Sequence, residues 1–482
     1  MARRSSARTA RETTQRTYRV RRDNSVPASP AKGKNACNGK QKNQFPPTPK
    51  VEDIKHMLQL CVTLGMSDDD TATYILGRIP PGFSLSGKTV QRMRTEEKIL
   101  KTRKQKHTAE TILPALMEVK DEFPRMGART MTQTLRVEHG ICVSEPTVLG
   151  ILHIIEPAEV QARKHRQFKK RTFYTRGVNE FWCLDQHDKM QRFGLRFHVC
   201  LEPTSGKILW LKVWWTNSNP RIVLKYFLDV VKELGYVPSF TMSDKGTENN
   251  LVANIQTLVR QALDGSLDDT ILHRWMLKHG NIKPEIFWAG FRRSWAPGYN
   301  DLFEIGGFNK QGLCDPSDVI DQLCFRYLAI PWVQKQLDRY VHCFNHTPRR
   351  ADKAKILPEG IPDLIFNEPL RYSGRDLKVV IPELSILDQF EKTWLPAGHP
   401  VLDLVPPEFK APADRVFIDQ LRRPIIKKKN FWTIFRKMRS KMDREMNSLP
   451  PTFPVEMGSV LEDDARLHKE VVNLLEGYQK LR

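Results

Sequence analysis

Five runs between Asn179 and Asp244 decide the fold: NEFWCLD (179–185), FGLRFHVCLE (193–202), KILWLKVWW (207–215), PRIVLKYFLDVVKELG (220–235) and VPSFTMSD (237–244). The first three are short, aromatic and β-branched, and they are separated by HDKMQR and by the turn residues PTSG. Such runs predict three sequential antiparallel strands. The fourth has its apolar residues on one helical face and closes at Gly235, a residue suited to a helix C-terminus. The fifth predicts a buried strand, which the handedness of crossover connections makes parallel to the first. Downstream, LVANIQTLVRQAL (251–263), the stretch around Thr270 to Lys278, EIFWAGFRRSW (285–295) and the long run from Asp318 to Asn345 all read as helices. Together they predict a three-layer α/β domain whose sheet is partly antiparallel.

Two of the strands end in an acid, Asp185 and Asp244. The carboxyl ends of strands in an α/β sheet are where ligand sites form. If the two strands are neighbours, these carboxylates face each other across roughly 5 Å and repel unless protonated or bridged by a cation. An acid at a strand end is more often a plain turn residue or helix cap, so the pair alone leaves both readings open. Asp244 opens SDKGTEN (243–249), where Gly246 permits a tight turn and Lys245 adds charge beside a substrate backbone. Glu285, Asp301 and Glu304 all follow at distances that suit a third acid. Glu285 has the best setting, at the start of an amphipathic helix in NIKPEIFWAGFRRSW (281–295), although an acid there also simply complements the helix dipole. Phe287, Phe291 and Trp295 form that helix's core face, while Arg292 and Arg293 are surface charge or phosphate contacts.

Working outward, residues 1–48 are basic, polar and proline-punctuated, a composition that cannot bury enough apolar surface to order, and they read as a disordered tail. Helical periodicity marks two small units, 49–107 and 108–160. In the second, Gly140 ends one helix and Ser144 caps the next with Pro146 in its first turn, the pattern of a helix-turn-helix or of an ordinary helical hairpin. A basic linker, 161–177, carries Arg163, Lys164, Arg166, Lys169, Lys170 and Arg171, suited to a phosphate backbone or to solvent. The core spans 178–370. An extension, 371–482, contains RRPIIKKKNFWTIFRKMRSK (422–441), readable either as a DNA contact or as a solvated amphipathic helix.

The balance of 77 Lys plus Arg against 55 Asp plus Glu over 482 residues, a formal net charge of +22, favours a polyanionic partner, with nucleic acid the leading candidate. Eight scattered cysteines include no C-x-x-C pair for zinc and read as reduced, buried thiols of an intracellular protein. No apolar stretch is long enough to span a membrane, and no membrane partner is expected. The Arg- and Ser/Thr-rich start lacks a secretory apolar segment. It suits a nuclear-import or nucleic-acid-binding tail and places the protein in the nucleus, with a mitochondrial transit peptide as the alternative.

Across about residues 129–369 the sequence resembles the DDE retroviral integrases and transposases, especially the integrase core domain proteins encoded in many eukaryotic genomes. The resemblance rests on WCLDQHDKMQRFG, KILWLKVWWTNSNPRIVLKYFLD, SDKGTEN and NIKPEIFWAGFRRS. It implies a ribonuclease-H-like mixed-sheet core, preceded by helix-turn-helix-like units. It carries the family's catalytic and metal-binding triad to Asp185, Asp244 and Glu285, with Asn281 on the family's asparagine position. The implied activity is DNA integration or transposition by polynucleotidyl transfer, with two Mg²⁺ or Mn²⁺ ions as cofactors, DNA as partner and homo-oligomers as the working form. Two alternatives stand beside it: a catalytically inactive, mobile-element-derived DNA-binding protein, and a hydrolytic ribonuclease-H-type nuclease. The sequence departs from the family in having Pro284 where an aliphatic residue is usual, and Phe287 and Trp288 where two tryptophans are usual. It also has no His-His-Cys-Cys zinc unit.

Overall fold

The computed structural model describes residues 46–164, 173–276, 280–304, 306, 312–349, 356–372 and 374–446. Most of the basic tail, and Arg166, Lys169, Lys170 and Arg171 of the linker, lie outside the described residues, as do the side chains of Arg163 and Lys164.

The chain opens with α1 (Val51–Thr63), α2 (Asp68–Leu76) and α3 (Gly87–Glu96). Ser67 caps α2 by accepting from the Asp70 amide, and Ser86 caps α3 by accepting from that of Thr89. Ile54, Leu58 and Cys61 of α1 share one face and pack with Ile75, Val90 and Met93. Arg94 is buried at 4 % exposure and bridges to Asp68 at 2.9 Å, which ties α3 to α2. Lys101, a basic residue late in the first unit, donates to the same carboxylate at 2.7 Å.

The second helical unit contains α4 (Ala109–Glu122), α5 (Ala128–His139) and α6 (Glu145–Ile155). Gly140 closes α5 at φ +65°, a conformation cheap only for glycine, and Ser144 caps α6. The helix, glycine turn and capped helix expected from the sequence are therefore present.

The sheet has five strands: β1 (Phe181–His187), β2 (Arg196–Leu201), β3 (Ile208–Trp214), β4 (Phe240–Asp244) and β5 (His273–Met276). Their spatial order is β3-β2-β1-β4-β5. The first three are antiparallel, while β1–β4 and β4–β5 are parallel. The helix expected around Thr270 to Lys278 is thus corrected to a strand. Nine residues of mixed polarity cannot distinguish the two by periodicity. Here pairing to β4 decides, and His273 is buried between the hydroxyls of Thr241 (2.7 Å) and Ser243 (3.1 Å).

Two apolar layers cover the sheet. On one face Trp182, Leu184, Cys200 and Trp210 meet α7 (Pro220–Leu234) and α8 (Asn250–Leu263). The other face packs against α9 (Ile282–Ser294) and the long α10 (Val319–His346). That second cluster also takes in Ile112, Leu116 and Leu152 from the preceding helical unit. From the extension it takes Phe431, Ile434, Phe435, Met438 and Met442 of α11 (Phe431–Met446). The basic and aromatic run 422–441 is therefore divided by function: its apolar face is core, and Arg436 and Lys437 lie exposed opposite. Seven cysteines among the described residues are free and buried.

Candidate active site

The β1–β4 register pairs Cys183 with Met242, and two further residues along each strand bring Asp185 beside Asp244. Asp244 is the last residue of β4, as its sequence suggests. Asp185 lies two residues before the end of β1, because pairing to β2 continues to His187. Asp185 Oδ1 accepts the Gln186 amide at 3.0 Å. Burial, then the nearby Asp244 charge, pushes the Asp185 carboxyl up to about 7; the Glu248 charge adds to this. Two half-buried acids, one of them raised by the charge of the other, are also a place where a cation would relieve the repulsion.

The loop after β4 presents an acid that the sequence shows only as one polar group among several. Glu248 is 7 % exposed. Burial raises its carboxyl's pKa, as do the charges of Asp188 and Asp244. Gly246 closes the tight turn expected, its amide donating to the Asp244 carbonyl at 2.9 Å. Its φ of −131° is ordinary extended backbone, so glycine is required there instead because any Cβ would collide with the Glu248 carboxylate. Lys245 is exposed on the rim of this loop.

Glu285 sits in the first turn of α9 and is exposed. The start of α9 is fastened to the sheet by Asn281, whose Nδ2 donates to the Leu184 carbonyl at 2.8 Å, one residue before Asp185. Asn281 is 1 % exposed, and no partner for its Oδ1 is present among the described residues. The rival third acid Glu304 is engaged by Arg192. Among the described residues, no group of three or more His, Cys, Asp or Glu side chains is drawn together as a metal cage. The structure brings Asp185 and Asp244 side by side, two oxygen donors of the kind a hard divalent cation takes, while Glu285 starts the adjoining helix and is not drawn into a three-acid group with them.

Trp288 forms the wall on the α9 side. Its ring stacks on His187 at 4.7 Å and 16°. Its Nε1 lies beside Asp185 and favours that residue's charged form, yet no hydrogen bond to it is completed. Burial and the Arg292 charge lower the His187 pKa to about 4, so this wall is neutral near pH 7. Arg292 is exposed, and Arg293 is half-buried in a cavity that it shares with Gly290, Arg339 and Tyr340. Sequence reasoning missed Glu248 and Trp288 as site residues. The signal for Glu248 was its position within GTEN, and that for Trp288 its position one turn after Glu285, where the resembled family usually has tryptophan.

This arrangement, paired aspartates on neighbouring parallel strands of a mixed five-stranded sheet, defines a ribonuclease-H-like fold. Residues 173–363 match the integrase core domain family, which identifies this segment with the integrase and transposase branch of that superfamily. The family points to polynucleotidyl transfer and implies DNA as substrate. No curated protein matches the chain. Among the described residues, no helix is long and apolar enough to cross a membrane.

Proposed function

We propose that the protein cuts and joins DNA strands by metal-dependent polynucleotidyl transfer at Asp185, Asp244 and Glu285. The observation that carries this reading is the half-buried Asp185–Asp244 pair, whose repulsion a divalent cation would remove. Two Mg²⁺ or Mn²⁺ ions, when bound, would supply charge neutralisation at the phosphate and acidify the attacking water or 3′-hydroxyl. Asp185, Asp244 and Glu285 would be the residues that hold these ions. Asn281 fixes the start of α9 against β1, so Glu285 is presented from a helix whose origin does not drift. Trp288 and the neutral His187 exclude bulk water on that side, which strengthens electrostatic interactions within the site. The reading assigns phosphate contacts to Lys245, Arg292 and Arg293, and to Arg163, Lys164, Arg166, Lys169, Lys170 and Arg171 of the basic linker.

The test is strand transfer with a labelled oligonucleotide, supercoiled plasmid and Mn²⁺. Wild type should give joined products longer than the input, and Asp185→Asn and Asp244→Asn should each abolish them. Shortened products alone would instead mark a hydrolytic nuclease. Equal behaviour of wild type and both variants would mark a DNA-binding protein without chemistry.

We further infer a nuclear location from the basic amino-terminal segment, and a homo-oligomeric working state. Exclusion of a fluorescent fusion from the nucleus would contradict the first. A monomer by light scattering, with and without DNA, would contradict the second.

A further inference from the structure

A line of buried polar groups crosses the apolar layer under α7 and ends at the acids. Trp210 Nε1 on β3 donates to His198 Nδ1 on β2 at 3.0 Å. His198 Nε2 meets Asn249 Oδ1 at 3.3 Å, and Asn249 Nδ2 donates to Glu248 Oε1 at 2.8 Å. All four residues are buried, with His198 and Asn249 each at 1 % exposure.

The direction of this line is fixed by its ends. An indole nitrogen can only donate, so His198 Nδ1 must accept, and the neutral ring carries its proton on Nε2. Burial holds the His198 pKa down at about 4, so the ring is neutral near pH 7. Asn249 must then accept on Oδ1 and donate from Nδ2, and an ionised carboxylate can only accept. One tautomer and one amide orientation satisfy every link.

Such a line has a cost. Apolar residues would fill the space between sheet and α7 without desolvating four polar groups. What the polar residues add is a fixed orientation for Glu248, whose carboxylate rests over Gly246 and whose charge acts on both Asp185 and Asp244. A second observation points to a ligand at the same place. The Trp288 indole N–H, at 4 % exposure, lies beside Asp185 and has no completed hydrogen bond among the described residues. A water or phosphate oxygen held by a cation on Asp185 would supply an acceptor.

We propose that Trp210, His198 and Asn249 are positioning residues that hold the Glu248 charge near Asp185 and Asp244, raising the affinity of this site for divalent cations. The proposal rests on the reading of Asp185 and Asp244 as cation ligands. It differs from the triad in assigning a role to an acid on the β4 loop and to a relay reaching it through the core.

The experiment is Mn²⁺ binding to metal-free full-length protein, by calorimetry, with near-ultraviolet circular dichroism and melting temperature as controls for folding. Glu248→Gln should weaken Mn²⁺ binding by about tenfold, the effect of one nearby charge in a partly buried site. His198→Leu, which keeps bulk and breaks the line, should weaken it by about threefold or more. His198→Gln should restore affinity to within about twofold, because one amide can accept from Trp210 and donate to Asn249. Trp210→Phe replaces His198→Leu should that variant fail to fold, and should weaken binding similarly. Equal weakening by His198→Leu and His198→Gln would overturn the relay, as would wild-type affinity in Glu248→Gln while Asp185→Asn has lost binding. Wild-type affinity in Asp185→Asn and Asp244→Asn would instead overturn the cation reading on which the proposal rests.

Discussion

Replacing Asp185 by Asn should make the metal-free protein more stable, and the gain should depend on pH. In the folded chain the carboxyl is held at about 7, against an ordinary value of 3.8. A difference of roughly three pKa units corresponds to roughly 4 kcal/mol, an upper value because local relaxation and water entry reduce it. The sign follows from proton binding. Between pH 4 and 7 the folded state binds the proton more tightly than the unfolded chain, so stability falls as pH rises through this window. The penalty is nearly absent below about pH 4 and complete above about pH 7. Asn is isosteric, keeps an oxygen for the Gln186 amide and carries no charge. Urea unfolding in EDTA should therefore show Asp185→Asn more stable than wild type by about 2–4 kcal/mol at pH 8, with a gain well under half of that at pH 5. Mn²⁺ at pH 8 should reverse the order by stabilising wild type alone. Equal stability of the two proteins at pH 8, or the same difference at both pH values, would refute the reasoning.

Asn281→Leu removes the donor to the Leu184 carbonyl and should cost about 1–3 kcal/mol in denaturant unfolding. It should also lower strand-transfer kcat more than it raises KM, because Glu285 loses its fixed origin; an unchanged kcat would detach Asn281 from the site. Phe435→Ala, at a fully buried position on α11, should cost about 3–5 kcal/mol, measured in the same way. A loss below about 1 kcal/mol would show that the extension is not part of the core.

The strands that carry Asp185 and Asp244 were legible in the sequence because their runs are short, apolar and bounded by turn residues. The parallel pairing of β1 and β4 followed from the intervening helix. The segment 270–278 was not legible: its strand character comes from β4 and from two hydroxyls around His273, partners some thirty residues away. Chemistry alone left Glu285, Asp301 and Glu304 open, and the ion pair of Glu304 with Arg192 became visible only in three dimensions. Glu248 illustrates the same limit. Its neighbours Asn249, His198 and Trp210 look unremarkable in the sequence, because a relay is a property of registers between strands and not of any local pattern. The C-terminal run was half legible: its charges suggested a polyanion contact, while its phenylalanines and methionines proved to be a core face.

The most direct test of the central claim is a crystal structure of the protein soaked in Mn²⁺, with anomalous differences recorded at the manganese edge. Anomalous density in contact with both Asp185 and Asp244 is the expected result, with Glu285 turned toward it. No density there, or density confined to other carboxylates, would contradict the assignment of this strand pair as the metal-holding centre.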